Sequence, residues 1–429
     1  MNKLLHIYMS VRNNKTLVNG SLFSIYSFIG KGISFLILIM LANYISPEEY
    51  GYLNLFTTVI SFVTIFIALS TNGYVSISFF KKETDEFKKD FTSIYLMGIA
   101  SFAFFSIVVL LGGEWISSAL QLSTDLLIIA VAISFFTFSF LLQQDYLRIK
   151  ERVKEYGAYN ISNALLNLLL TFFFIISLHQ GWMGRVNAQI LCTVAFGMLS
   201  VWFFFHYKLF DIHFDKDRYK TILAWGLPMI PHQATGWLRQ GLDRYIINYF
   251  YSVYNVGIFS FALNISNVIE MIGMAFNSSN SVSIFQILSN EQYNNQQKIT
   301  MLNKQTRNIG FVYLIAALLV VICVTPFSYF VLPQYRESIP YIWIISICGF
   351  LKCVYFLYCN YLFYYSKTKQ LMYITFGTSI LHVILSLLLT KYSLYLTAFV
   401  YVIVQFLILF FVVKESNKLL EKNLIRVES

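Results

Sequence analysis

The stretch GLPMIPHQATGWLRQGLDRYIINYFYSVYNVG, residues 226 to 257, is long enough to cross a bilayer, yet its middle holds His232, Gln233, Arg239, Gln240, Asp243 and Arg244. A charge at bilayer depth costs about 2.5 to 3.5 kcal/mol on insertion scales, so such side chains face a bundle interior or a wet cavity. His232, Gly236, Arg239 and Asp243 follow the i, i+4, i+7, i+11 spacing that predicts one helical face. Arg239 and Asp243 stand one turn apart, where an ion pair would offset part of the burial cost of each. Such a pair by itself would be structural, and it leaves His232, Gln233 and Arg244 without a role. They are the first candidates for contact with a substrate.

The chain around this segment is built for lipid. It is 57% hydrophobic and only 12% charged, with mean hydropathy +0.63, against about 25% charged residues in a soluble domain. Apolar runs near the 20 residues that a helical crossing needs recur along it. They predict an all-α membrane protein of about twelve transmembrane helices: a cytoplasmic arm at 1–16, six spans within 17–206, a linker at 207–219, six more within 220–413, and a basic tail at 414–429. The first run is too long for a signal-peptide core and reads as a retained span. Cys192, Cys323, Cys348, Cys353 and Cys359 all fall inside spans without CxxC spacing, so neither a disulfide framework nor a metal site is expected.

A formal net charge of +10 invites comparison with nucleic-acid binders, but its placement argues against one. Of the 31 Lys and Arg, twenty-four fall in the arm, alternate loops and tail, and only Arg185, Arg336 and Lys391 in the opposite loops. That asymmetry is the positive-inside rule, and it predicts both termini in the cytoplasm. Leu4, Leu5, Tyr8 and Val11 share one face of the arm, as in a short helix lying on lipid. Lys414, Lys418, Lys422 and Arg426 recur every fourth residue in the tail, which suits anionic headgroups.

Four cations remain inside spans: Lys31, Arg239, Arg244 and Lys352. Lys31 lies roughly 21 Å from the cytoplasmic start of its helix, beyond the reach of a snorkelling lysine. Its ammonium must meet water, a ligand or an acid such as Glu270. Gly30 and Gly32 flank it and allow close approach. Asn160, Asn163, Asn167 and Thr171 share one face of the fifth span, which three amides would make costly in hydrocarbon, so Asn163 and Asn167 join the candidate substrate-binding residues. Glu270 is the one mid-span acid outside the seventh helix. Burial favours the neutral form of a carboxyl, which makes Glu270 and Asp243 candidates for ion coupling. His382, among Thr375, Ser379 and Ser386, reads more simply as a satisfied bundle residue than as a relay. The second and eighth spans exceed a bilayer's thickness, and their Asn72-Gly73 and GMAFNSSN stretches are expected to bend.

Ser46 to Gly51 in SPEEYGYL and Ser252 to Gly257 in SVYNVGIF share an S-x4-G spacing, each shortly after an Asn-Tyr, at an offset of 206 residues. Six crossings separate them, so the halves have the same orientation. That predicts two six-helix lobes related by a parallel pseudo-twofold repeat around a central cavity.

Gly226-Leu227-Pro228, LDRYIINYF at 242–250, YNVGIFSFALNI at 254–265 and LANYISPEEYGYLNLF at 41–56 resemble the signatures of Wzx-type oligosaccharide flippases, which serve O-antigen and capsule synthesis. These belong to the multidrug/oligosaccharidyl-lipid/polysaccharide exporter superfamily. The resemblance implies a monomer with a positively charged cavity. It also implies transport of undecaprenyl-pyrophosphate-linked repeat units from the inner to the outer leaflet by alternating access. Its implied partners are membrane lipids and the polysaccharide polymerase and chain-length proteins. No cofactor is expected beyond a proton or sodium gradient. Teichoic-acid or peptidoglycan-precursor lipids share the polyprenyl phosphate anchor and stay open as substrates. A drug or metabolite antiporter of the same superfamily is disfavoured by the sign of the intramembrane charge. HExxH, GxSxG and Walker A patterns are missing and the outer loops are short, which argues against an enzyme or a direct ATP-driven pump.

Overall fold

The computed structural model describes residues 15–425. Leu4, Leu5, Tyr8 and Val11 of the arm, expected to share a lipid-facing helical face, and Arg426 of the tail lie outside the described residues.

No strand occurs among the described residues, and eleven helical stretches are long and apolar enough to cross a membrane. The first half runs through α1 (Lys15–Tyr44), α2 (Pro47–Ala68), α3 (Asn72–Lys81), α4 (Thr84–Leu120), α5 (Thr124–Ile149), α6 (Val153–Phe172) with a π turn at Phe173–Ser177, and α7 (Gly181–His206).

The expected seventh span is broken more than once. It divides into α8 (Lys216–Gly226), a 3₁₀ turn at Leu227–Met229, α9 (Ile230–Gly236), a π turn at Trp237–Gly241, and α10 (Leu242–Phe250). Pro228 and Pro231 lack the N–H that an α-helical ladder needs, and Gly236 and Gly241 flank and close the π turn. The wider π turn also breaks the 3.6-residue register. The i, i+4, i+7, i+11 face drawn through Arg239 and Asp243 does not survive it. Beyond it run α11 (Val253–Ser289), α12 (Asn295–Phe330), α13 (Ile339–Tyr364), α14 (Thr368–Leu389) and α15 (Leu394–Leu420).

The second span bends where the chain was expected to, a few residues early: Leu69 and Ser70 have φ of 46° and 54°, between α2 and α3. Gly226 fits into this corner, because a Cβ there would stand 2.6 Å from the Leu69 carbonyl oxygen. The eighth span does not bend by unwinding; α11 is helical through all 37 residues. The stretch between the third and fourth expected spans is also mostly helix, since α4 continues to Leu120.

The helices gather into two compact units, one of residues up to Ile45 with Leu55–Ala234, the other of Ser46–Asn54 with Thr235 onward. In the first unit the linker is fastened to its neighbours. Arg218 of α8 bonds Asp90 at 2.5 Å and Glu86 at 2.7 Å, and Lys82 bonds the other Asp90 oxygen at 2.7 Å. Ser78 Oγ donates to the same carboxylate at 2.6 Å. Burial alone would lower the Lys82 ammonium, but the hydrogen bond and charge of Asp90 outweigh it and raise the group above its ordinary value.

In the second unit the two S-x4-G signatures meet. Ser46 caps α2 in a capping box, its Oγ accepting from the Glu49 N–H at 3.2 Å while the Glu49 carboxylate accepts from the Ser46 N–H at 2.9 Å. Ser252 caps α11, accepting from the Asn255 N–H at 3.4 Å. A Cβ on Gly51 would strike the Val253 carbonyl, and one on Gly257 would strike the Pro47 carbonyl. Pro47 and Val253 follow the serine in each copy, so the contact is reciprocal, as a twofold relation between the copies requires. Tyr50 seals it, accepting from Asn264 Nδ2 at 2.9 Å and packing edge-on against Phe261 and Tyr335.

Candidate functional site

Each unit carries its own polar centre. In the first, α1 and α6 pack so closely at Gly30 that a Cβ there would collide with the Asn160 amide, whereas Gly32 faces open space. Ser27 and Tyr156 join the same helices through a 2.7 Å hydrogen bond. Between them opens a cleft of about 330 Å³ lined by Lys31, Ser34, Asn160, Asn163 and Asn167 among others. The structure thus brings Lys31 of α1 to Asn163 and Asn167 of α6, two helices that sequence spacing had left unconnected. Lys31 is exposed and, among the described residues, enters no ion pair. Its expected acid partner is engaged elsewhere.

That acid, Glu270 on α11, pairs with Lys352 on α13 at 2.5 Å, with both side chains roughly one-fifth exposed. Arg239 lies in the same unit, in the π turn, donating from Nε to the Thr235 carbonyl and from Nη1 to Gln405 of α15, each at 3.4 Å. Cys348 feels the charges of Lys352, Arg239 and Glu270 together, which places the three in one neighbourhood. Two cations against one carboxylate leave this cluster net positive.

The expected pair of Arg239 and Asp243 is absent among the described residues. Asp243 instead shares a 2.7 Å hydrogen bond with His382 Nε2, both side chains 1% exposed, because the π turn redirects α10 relative to the segment before it. Tyr401 stands edge-on to the imidazole at 4.8 Å. His382 is therefore a satisfied bundle residue at Nε2, although Nδ1 is buried without a hydrogen-bond partner among the described residues. Arg244 donates from Nε to Ser260 Oγ at 3.2 Å. His232 and Gln233 are exposed and belong to the first unit, whereas Arg239, Asp243 and Arg244 belong to the second.

Two features escaped the sequence reading. Arg185, assigned to an outer loop, sits on α7 and donates to Asn167 Oδ1 and to Thr171 Oγ1 on α6. Asp215 and Asp217 have the D-x-D spacing of some sugar-nucleotide metal sites, but Asp215 caps α8 by accepting from the Asp217 N–H at 3.0 Å. A helix cap and a surface pair with Lys220 account for both acids.

Comparison with known proteins agrees with this architecture. A protein of the Lsg locus of Haemophilus influenzae is 23% identical over 369 residues, 82% of this chain and 86% of its own. An inward-facing multidrug resistance MATE family transporter of the MOP superfamily has the same fold, with a TM-score of 0.73 at 11% identity over 94% of this chain and 96% of that one. The lipid II flippase MurJ in an inward closed conformation gives 0.72 at 15% identity, over 94% and 89%. The profile of the polysaccharide biosynthesis protein family matches residues 17–290, well over half of the sequence, and the chain belongs to that family.

Proposed function

We propose that the protein is a flippase of the bacterial cytoplasmic membrane, with both termini in the cytoplasm. It carries undecaprenyl-pyrophosphate-linked oligosaccharide repeat units from the inner to the outer leaflet by alternating access. The observation that carries this reading is Lys31, a cation inside a span that opens onto a cleft lined by asparagines and enters no ion pair among the described residues. An unneutralised ammonium suits a pyrophosphate, and side-chain amides suit sugar hydroxyls. The family assignment supports a polysaccharide precursor as cargo. A cationic drug would be repelled by Lys31 and by the net positive cluster of Arg239, Lys352 and Glu270.

The chemistry of a cycle follows from these groups. In the first unit Lys31 holds the anionic headgroup while the polyprenyl tail stays in lipid. In the second, Arg239 offers a further cation, and Glu270, paired with Lys352, is together with Asp243 the candidate through which a proton or sodium gradient resets the carrier. No covalent chemistry is required of the protein.

The test is a leaflet assay in a strain lacking the protein. Full-length lipid-linked units accumulating on the cytoplasmic side, with synthesis intact, is the expected result. Units that reach the outer leaflet but stay unpolymerised would place the protein later in assembly. Unaffected polysaccharide would favour a small-molecule antiporter.

A further inference from the structure

Arg185 stands only four residues into α7, about 6 Å from its start at 1.5 Å per residue. An arginine there can extend its guanidinium to the nearby membrane surface, where hydration is available. It does the opposite. Its Nη1 reaches inward to Asn167 and Thr171 on the neighbouring helix, and Asn167 lies ten residues before the end of the π turn at Ser177, a depth on the order of 14 Å. Among the described residues no ion pair neutralises it. Both hydrogen bonds use one nitrogen, so the rest of a five-donor fork is left for another acceptor. Asn167 also lines the Lys31 cleft. Along α6 it is seven residues from Asn160, which touches Gly30 beside Lys31, a separation of about 10 Å.

We propose that Arg185 is a second anion-binding group of the first unit, which takes the phosphates of the lipid-linked cargo after Lys31 on their way to the outer leaflet. The inference rests on the pyrophosphate reading above and extends it with a residue and a direction. The shared asparagine face gives the headgroup continuous hydrogen-bonding partners between the two cations, and guanidinium can grip two phosphate oxygens at once where a lysine holds one. A purely structural arginine, tying α6 to α7, would satisfy the same two bonds but would have no use for its remaining donors.

The full-length protein in lipid nanodiscs, titrated with geranylgeranyl pyrophosphate, separates these roles. Arg185→Gln is expected to weaken binding about tenfold or more, the loss of a charge-assisted contact, and Arg185→Lys to keep most of it. Thr171→Asp neutralises Arg185 without removing it, at a position that does not line the Lys31 cleft. A structural arginine would be held more firmly by the new carboxylate, with thermal stability raised and binding unchanged, whereas an anion site would lose the probe. Wild-type affinity in both Arg185→Gln and Thr171→Asp, with Lys31→Gln impaired, overturns the role of Arg185 and leaves the flippase reading standing. A wild-type protein that does not bind the probe overturns the pyrophosphate reading and this inference with it. If Arg185→Gln fails to fold, Thr171→Asp alone decides between the two outcomes.

Discussion

At the scale of single residues, the buried pair of Asp243 and His382 is a contact on which stability should depend. With both side chains 1% exposed, removing one partner leaves a carboxylate stranded. His382→Ala should therefore destabilise the protein by roughly 3 to 5 kcal/mol, and His382→Gln, which can still donate, by less. Thermal unfolding of the purified variants checks the order, and equal melting temperatures for His382→Ala and wild type would refute it. The shared face of Asn163 and Asn167 was legible in the sequence because helical spacing is local, whereas their approach to Lys31 on another helix needed the fold. The His382 partnership was not legible either, since it joins positions 139 residues apart and nothing in the spacing selects Asp243 over other polar groups. Arg185 was missed because a cation at the end of an apolar run reads as a loop residue until the direction of its side chain is known.

At the scale of elements, the reciprocal glycines make a sharp comparison. Gly257→Ala would press a methyl into the Pro47 carbonyl, which is backbone and cannot turn aside, whereas Gly32→Ala enters open space. The first should reduce folded yield severely and the second should behave as wild type; tolerance of Gly257→Ala would mean that α2 and α11 can part without loss. The linker network makes a prediction in pH. The Lys82 group is raised above 10.5, so its contribution is fully present below that value and is lost as pH rises through the higher folded one. Lys82→Met should flatten the alkaline limb of a thermal-stability profile, and an unchanged limb would remove Lys82 from the account. The helices themselves were readable from hydropathy and length. The fastening of 207–219 was not, because charged connectors look solvated until their partners are placed.

At the scale of the whole chain, the distribution of Lys and Arg predicts an orientation that can be checked directly. In a background without native cysteines, Ser118→Cys should react with an impermeant maleimide in intact cells, and Ser289→Cys only after the membrane is opened. The reverse pattern would invert the topology. Twelve crossings and two bodies were expected from the sequence, and the polysaccharide exporter resemblance stands at the level of the family. What periodicity could not reveal is that Ser46–Asn54 clusters with Thr235 onward. Membership of a body is set by contacts such as Gly51 with Val253, and those are invisible to any reading confined to one helix.

The π turn at Trp237–Gly241 has a bearing on how such a chain tolerates changes of length. A π turn accommodates one residue more than an α-helical path of similar extent, so it is the natural place for a single codon to be lost. Deleting Gln240 should collapse it to α-helix and leave Asp243 facing His382. Deleting Tyr245 instead would rotate the remainder of α10 by about 100° and carry its apolar side away from the core. The same one-residue lesion would be silent at one point of this helix and ruinous five residues on.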